Sequence, residues 1–398
     1  MNKKEISEIK KQFTPAHCAI TRICGCYVDG EKEKKTQISE LFLTLPEEEM
    51  FKYFELFRKT LSGTLGKNLV NMEFPIESED YGGTQAFLMS LRESQLNDPN
   101  LLNEFYDKVI ASYDYGENYL ILLIHSVYDV PGRTTDGLEM EDASDEVYDH
   151  ILCSICPVKL SKPGLSYHVE TNEFHDRIRD WIVEMPEIGF LFPAFNDRST
   201  DIHNILYYTK NPEELRSGFI DELLGCVLPM TAKTQKEAFH SLIEDTLGTE
   251  CDFESVKNIH DTLYEIIEEQ KELPNPVVLD KSDLKNILAD SGVKEEKLET
   301  FEKYCEEVFE TKAPVMASNI ANTRKFEVKT PDVTVQVNPA RSDLVETKLI
   351  DGRPCLVIAI NDAVQVNGIP VRVPLAETNT EYDESMDMTG AADVPFEE

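Results

Sequence analysis

The sequence predicts an α+β fold: a mixed β-sheet flanked by helices, then a helical region, then a small C-terminal antiparallel β module. Three apolar runs at 119–128, 151–158 and 188–195 contain no Asp, Glu, Lys or Arg, and polar residues bound each of them. Runs of this length are typical of strands that are buried on both faces. We therefore expect the three runs to form the centre of one sheet.

Changes of pattern divide the chain into four parts. Apolar residues recur at helical spacing through most of 211–312, and from about residue 324 apolar and charged residues alternate. The residues after Pro374 include eight acids and neither Lys nor Arg. We expect a sheet domain over 1–210, a helical region over 211–312, a β module over 313–374 and a disordered acidic tail over 375–398.

Composition limits the classes of partner. The chain has 398 residues and a net charge of −36, from 75 acidic and 39 basic residues. A field of this sign repels phosphates and anionic lipids, so we expect neither nucleic acid nor a membrane as partner. The nine cysteines form no regular framework, and no apolar leader follows the N-terminus. These features predict free thiols in a reducing compartment and thus a cytoplasmic protein.

Helices and strands alternate before the first apolar run. Pro46 with three following glutamates predicts a helix start, because free amides and the helix dipole favour proline and acids there. Asp98–Pro99 predicts another start in the same way. In order, we expect helix 3–13, strand 19–28, strand 38–43, helix 46–61, strand 69–74, a helix after Gly83 and a helix from residue 98.

The segments around the second and third apolar runs are assigned from spacing. Large apolar residues recur at helical spacing over 174–185, and Pro186 follows, which predicts an amphipathic helix. The stretch 202–208 predicts an antiparallel strand. The polar connection 129–142, which leaves the end of a strand, is a loop candidate for a binding role.

The helical region begins with Asn211–Pro212, which resembles a helix start. The following apolar residues, among them Leu215 and Phe219, are expected to point inward. Further helices are predicted over 238–247, 253–272, 284–288 and 298–309. Their acidic outer faces are typical of solvated helix surfaces.

The C-terminal β module is predicted from hairpin signals. Asp351–Gly352 and Asn367–Gly368 are the residue pairs that tight hairpin turns prefer. The apolar stretch 356–360 predicts a central strand. Exposed edges of such a module could contact another protein.

One polar cluster follows a buried strand directly. Asp197, Arg198, Asp201 and His203 lie within seven residues. Two carboxylates and an imidazole could bind a divalent metal, and the arginine could hold a phosphate or carboxylate. The structural interpretation is a loop whose polar side chains bind local amides. No third distant ligand is identifiable from the sequence.

The cysteine and histidine candidates each have a structural interpretation. His17 and Cys18 with Cys24 and Cys26 could bind a soft metal or form a redox pair, although structural zinc sites space their cysteines differently. Cys153 and Cys156 form a C-x-x-C pattern, but within a strand these side chains point to opposite faces. His125 is expected to be a hydrogen-bonded core residue. We favour buried, unreactive thiols.

The stretch 63–68 (Gly-Thr-Leu-Gly-Lys-Asn) departs from a phosphate-binding loop. Its glycines are too close together, and Asn follows the lysine where Ser or Thr is needed. A helix end and turn is the better interpretation. The sequence also lacks G-x-G-x-x-G, H-E-x-x-H and G-x-S-x-G.

Several stretches together resemble a known family. They are 13–15 (FTP), 21–29 (TRICGCYVD), 61–68 (LSGTLGKN), 190–198 (FLFPAFNDR) and 366–369 (VNGI). They resemble the domain-of-unknown-function family 4317, cytosolic proteins from anaerobic Gram-positive bacteria. The resemblance covers nearly the whole chain and implies neither an activity nor catalytic residues.

Two functional hypotheses follow. The first is a non-enzymatic binding, regulatory or structural interaction protein, favoured by a well-patterned core without a catalytic motif. The alternative is a metal-dependent hydrolase in which Asp197, Asp201 and His203 bind a divalent ion and Arg198 binds an anionic group. No other cofactor is indicated by a motif.

Overall fold

The structure, a computed structural model, describes residues 1–133, 139–308, 315–360 and 364–371. Contacts along the chain divide it into two compact units, Met1–Ser342 and Asp343–Glu398. The four domain boundaries expected from the sequence stay a prediction. The tail at 375–398 lies outside the described residues.

Strands and helices alternate through the first half of the first unit. The helices are α1 (Lys3–Lys11), α2 (Glu47–Thr60), α3 (Ile76–Glu79), α4 (Thr84–Glu93) and α5 (Pro99–Ser112). The strands are β1 (Ile20–Val28), β2 (Lys34–Leu41), β3 (Leu69–Glu73), β4 (Tyr119–Arg133), β5 (Glu139–Leu160), β6 (Leu165–His168), β7 (Glu173–Asp176), β8 (Trp181–Val183), β9 (Ile188–Phe192), β10 (Ala194–Asn196), β11 (Ser199–Asp201) and β12 (Asn204–Thr209).

An eight-stranded sheet is central to this unit. Its strands lie in the order β2–β1–β4–β5–β9–β12–β3, and β8 pairs with β5. The α+β class, with a large sheet flanked by helices, is confirmed. The described pairings in the sheet are all antiparallel, so the sheet is not a mixture of parallel and antiparallel strands.

The three apolar runs form neighbouring central strands, as predicted. Alternate residues face opposite layers: Leu123 lies in a core with α4 and α5, whereas Leu122 lies in a core with α1 and α2. Because helices cover both faces, a continuous apolar run fits these strands better than an alternating pattern. Burial of each such leucine contributes roughly 2 kcal/mol.

The predicted helix over 174–185 is wrong. This segment follows the hairpin strand β6 and contains β7 and β8, and β8 pairs with Val158–Leu160 at the end of β5. β5 extends beyond the apolar run at 151–158 and offers an edge there, and Trp, Ile and Val favour strands. The apolar side chains of the segment are exposed rather than buried.

The predicted helix start at Asn211 is also wrong. The Asn211 side chain accepts a hydrogen bond from the Glu213 amide, and Arg216 has a φ of 52°, which interrupts a helix. The helical residues of this stretch are 217–224, of which Phe219–Leu224 form a π-helix. The apolar residues assigned to the helix, including Leu215 and Phe219, are nevertheless buried as expected.

The polar connection over 129–142 is shorter than predicted. β4 continues to Arg133 and β5 begins at Glu139, so both ends of the segment are strand. Residues 134–138 of the predicted loop lie outside the described residues.

A helical region with its own core follows. The third apolar cluster contains Phe239, Leu263, Leu288 and Phe301, one from each long helix. No helix among the described residues has the length and apolar content to cross a membrane. The elements are α6 (Ala232–Leu247), α7 (Phe253–Glu269), β13 (Val278–Leu279), α8 (Lys281–Asp290), α9 (Glu295–Val308), β14 (Val315–Met316) and α10 (Ala317–Ile320).

Small antiparallel hairpins complete the described chain. Asp351–Gly352 and Asn367–Gly368 all have positive φ, as tight hairpin turns require, so both turn predictions are confirmed. The prediction of a central strand at 356–360 is wrong, because β18 pairs with β17 alone among the described strands. The strands are β15 (Phe326–Lys329), β16 (Thr334–Val337), β17 (Val345–Ile350), β18 (Arg353–Ile358), β19 (Val364–Val366) and β20 (Ile369–Val371).

Candidate functional site

The predicted metal cluster lies on the β10–β11 hairpin. Asp197 and Arg198 form its two-residue turn, with φ values of 52° and 58°. Asp and Asn tolerate this left-handed region better than most residues, whereas Arg pays a steric penalty there. The contacts of the Arg198 side chain offset that penalty.

Arg198 binds protein groups. Its Nε and Nη2 donate to the Glu8 carboxylate at 2.9 to 3.2 Å, and Nη2 also donates to the Pro131 carbonyl at 2.9 Å. The guanidinium thus joins the hairpin turn to α1 and β4. An external phosphate or carboxylate would have to compete with Glu8 for the same donors.

Asp201 is engaged by local donors. One oxygen accepts from the amides of Asn196 and Asn204 at 2.6 and 2.9 Å, and the other accepts from the backbone N–H of His203 at 3.0 Å. His203 Nδ1 lies 2.6 Å from a Glu79 oxygen. That hydrogen bond and the Glu79 charge raise the pKa of His203.

These contacts match the structural interpretation of the cluster. Asp197 makes no hydrogen bond to any described residue, and His203 points its Nδ1 at Glu79 rather than Asp201. Across 1–133, 139–308, 315–360 and 364–371, no three His, Cys, Asp or Glu side chains are grouped to hold a metal ion. The hydrolase hypothesis stays a prediction.

His125 is a hydrogen-bonded core residue, as predicted. Its Nε2 lies 2.9 Å from Asp149 Oδ1, and its Nδ1 lies 2.6 Å from Thr21 Oγ1. A carboxylate only accepts, so Nε2 donates to Asp149, and the Thr21 hydroxyl also donates to the His125 backbone carbonyl at 3.2 Å. The imidazole is fully buried and links three neighbouring strands.

The cysteines form no disulfide among the described residues, and Cys24, Cys26, Cys153 and Cys156 are buried, as interpreted from the sequence. Cys24 and Cys26 lie on one face of β1, whereas Cys153 and Cys156 point into opposite cores. Burial raises the pKa of Cys26 to about 11, so this thiol stays protonated and unreactive at neutral pH.

The stretch 63–68 is a turn, as interpreted from the sequence. After α2 has ended at Thr60, Gly63 and Gly66 adopt φ values of 143° and 74° in the turn. Asn68 Nδ2 donates to the carbonyls of Thr209 and Lys210 at 3.1 and 3.3 Å. These contacts fasten the turn to the end of β12.

Two features were missed by the sequence reasoning. The first is an apolar arm, defined here as residues 165–185, in which large side chains are exposed. The second is an open cleft beside α7. The arm's exposed apolar residues are Leu165, Tyr167, Val169, Phe174, Ile178, Trp181, Ile182, Val183 and Met185. The sequence signal for the arm was a run of large apolar residues between charged ones. The helical prediction over 174–185 interpreted that run as the buried face of a helix.

The fold and these surfaces define an acidic α+β protein with exposed apolar strands and an open cleft. A family model described as "Domain of unknown function (DUF4317)" matches residues 1–369, so the chain belongs to that family and the resemblance is confirmed. No curated protein matches the sequence.

Proposed function

We propose that the chain is a binding protein, regulatory or structural in role, that contacts another protein through its C-terminal β module. The observation that carries the proposal is the exposed apolar face of the β17–β18 hairpin. Leu349 is 77% exposed and Ile358 is 47% exposed. Large apolar side chains grouped on a surface are typical of interaction sites.

Strand register places Leu349, Leu356 and Ile358 on one face of the hairpin. Thr347 pairs with Leu356, Leu349 with Pro354, and Val345 with Ile358. Side chains of directly paired residues share a face, and the alternate pairs point the other way. The opposite face carries the charged residues Glu346, Lys348 and Arg353 together with Ile350, Cys355 and Val357. The face that contains Leu349 has no charged residue, so it is the side better suited to an apolar partner surface.

The energetics favour a partner that covers this face. A two-stranded hairpin is at best marginally stable in water. Each Å² of apolar surface removed from water contributes about 25 cal/mol, so a covering partner stabilises the hairpin as it binds. β18 also has an edge that is unpaired among the described strands, where a further strand could be added.

The apolar arm supports the same class of function. Tyr167 and Phe174 pair across β6 and β7, and their rings lie 5.3 Å apart on one exposed face. Trp181, the single tryptophan of the chain, is exposed at the edge strand β8. Aromatic residues are enriched where protein partners meet.

The proposal includes a cytoplasmic location and a partner other than nucleic acid. The nine free thiols support a reducing compartment. The net charge of −36 disfavours a phosphate backbone as the main contact. A partner with basic groups around an apolar surface has the complementary chemistry.

Affinity capture with matched variants tests the proposal. The tagged full chain, a Leu349→Asp/Ile358→Asp variant and a Lys348→Ser/Arg353→Ser variant are used to capture proteins from native lysate. We expect wild type and the Lys348→Ser/Arg353→Ser variant to retain the same protein, and the Leu349→Asp/Ile358→Asp variant to lose it. Identical retention by all three, or no retained protein, contradicts the proposal.

A direct measurement follows capture. The retained protein is purified and titrated with each variant by calorimetry. Substitution of two central apolar contacts by Asp should weaken binding at least about tenfold, since truncation of a single central contact commonly costs more than 1 kcal/mol. Equal dissociation constants for the two variants would show that the partner does not bind the face of the hairpin that contains Leu349 and Ile358.

A further inference from the structure

An open cleft of about 620 Å³ lies in the first unit, beside helix α7. Residues of α6, α7 and β15 line it, together with Ile320 and Pro339. The volume is within the range of roughly 300–1,000 Å³ that is usual for small-molecule sites. The β17–β18 hairpin and the predicted metal cluster share no residue with this cleft.

Helix α7 presents two different stripes. Ile259 and Leu263 are buried in the core of the helical region. Phe253, His260 and Tyr264 recur at helical spacing on another side and line the cleft. A helix that buries only one face usually has polar, solvated residues on its other sides. The aromatic residues of this second stripe are therefore not required by the core of the helical region.

Aromatic rings form one wall of the cleft. The Phe326 ring lies 6.3 Å from the Phe253 ring and 6.4 Å from the His260 ring, both in edge-on arrangements. These three side chains are only partly buried. A flat ring placed against them would remove their remaining apolar surface from water.

Polar atoms for orienting a ring are present beside this wall. The His260 imidazole and the Tyr264 hydroxyl line the cleft and make no hydrogen bond to any described residue. Burial, followed by the charges of His240 and Lys236, lowers the pKa of His260 to about 4. The imidazole is therefore neutral at pH 7 and offers one donor and one acceptor.

Four lysines are among the residues that line the cleft. Lys325 is paired with Glu327 at 2.6 Å, whereas Lys236, Lys257 and Lys329 have no ion pair with a described residue. Three unpaired lysines at one cleft are notable in a chain with a net charge of −36.

Two of the three carboxylates that line the cleft are bound to groups other than Lys236, Lys257 and Lys329. Asp252 accepts from the Ser255 amide as the N-cap of α7, and Glu327 is held by Lys325 and Gln336. Asp261 is the remaining carboxylate in the lining. An anionic group therefore meets more available cations than available acids.

We propose that this cleft binds a small molecule that carries an aromatic ring and a phosphate group, the chemistry of a nucleoside monophosphate. The ring packs on Phe253 and Phe326, and its polar edge meets His260 and Tyr264. Lys257 and Lys329 bind the phosphate. No covalent step is involved.

Titration calorimetry of the full chain with adenosine monophosphate tests the proposal, with adenosine and inorganic phosphate as partial probes. We expect the complete nucleotide to bind at least about tenfold more tightly than either part, because ring burial and charge pairing act together. Lys257→Glu and Lys329→Glu should each weaken binding at least about tenfold. Lys303→Glu, an exposed lysine on α9 outside the cleft, should leave binding unchanged.

Melting temperatures of all variants establish that they are folded. The four common ribonucleoside monophosphates are titrated in turn, so that one poorly matched base does not decide the result. The proposal is overturned if none binds with a dissociation constant below about 1 mM. Equal binding of phosphate and nucleotide, or equal binding by the cleft and control variants, overturns it as well.

Discussion

The Arg198 guanidinium binds the Glu8 carboxylate through both Nε and Nη2, across 190 residues of sequence. The two side chains are 18% and 14% exposed, so the pair is largely shielded from water. The arginine that the metal hypothesis assigned to a substrate anion is thus bound to a carboxylate of the protein. The contact joins the β10–β11 turn to α1.

Arg198→Ala should destabilise the protein by about 2 kcal/mol in urea unfolding. The substitution leaves the Glu8 carboxylate partly buried without its main partner, which costs more than loss of an exposed pair. Lys271→Ala, which removes an exposed pair with Glu268, is the control and should cost less than about 0.5 kcal/mol. Equal effects of the two substitutions would contradict this assignment.

Divalent ions should leave the melting temperature of the wild-type protein unchanged. Both Asp201 oxygens already accept hydrogen bonds from Asn196, Asn204 and His203, so a metal would have to displace them. Thermal unfolding with Mn²⁺, Mg²⁺ and Zn²⁺ measures this. A stabilisation that Asp201→Ala abolishes would instead favour the hydrolase hypothesis, because a ligand that binds only the native state raises its stability.

The central strands were predictable because their burial is encoded locally. A run such as 119–128 is apolar at every position except His125 and Ser126, and no tertiary information is needed to recognise it. The hairpin turns at Asp351–Gly352 and Asn367–Gly368 were predictable for the same reason. These turns require a positive φ, which Asp, Asn and Gly adopt more readily than other residue types.

The apolar arm and the cleft depend on tertiary context. The spacing over 174–185 fits a helix, but the length of β5 decides that Trp181–Val183 pairs as an edge strand. The cleft requires α6, α7 and β15 to meet, and its ring contacts join Phe253 to Phe326 across the helical region. Nothing in a local window of sequence predicts such a contact.

Stability should fall between about pH 6.5 and pH 4 in part because of His150. Burial lowers the pKa of this imidazole from 6.5 to about 4, so the folded state holds it neutral while the unfolded chain protonates it. The contribution is fully present above pH 6.5 and is lost as the pH falls. The stability lost between pH 7 and pH 5 through this histidine amounts to about 2 kcal/mol.

A variant isolates this histidine from the other titrating groups. His150→Phe should show a smaller loss of unfolding free energy between pH 7 and pH 5 than wild type, by about 2 kcal/mol. His175→Phe, at an exposed position, should retain the full wild-type loss. If both variants lose the same stability as wild type, His150 does not govern the acid response.

Gly189 should tolerate no side chain, because β9 approaches β5 and α2 closely there. A Cβ at this position would lie 2.3 Å from the Cys153 carbonyl oxygen and 2.7 Å from Thr60 Cγ2. The carbonyl belongs to the paired strand and cannot move without breaking the sheet ladder. We expect Gly189→Ala to cost about 3 kcal/mol or more.

Gly116→Ala provides the matched control, since a Cβ there meets no atom within 4 Å. Its effect should stay within about 0.5 kcal/mol. Urea unfolding of both variants at pH 7 compares an identical added methyl group in a crowded and an open setting. A Gly189→Ala protein as stable as the Gly116→Ala protein would mean that β5, β9 and α2 are not packed as described. The packing of the three apolar runs as neighbouring strands would then need revision.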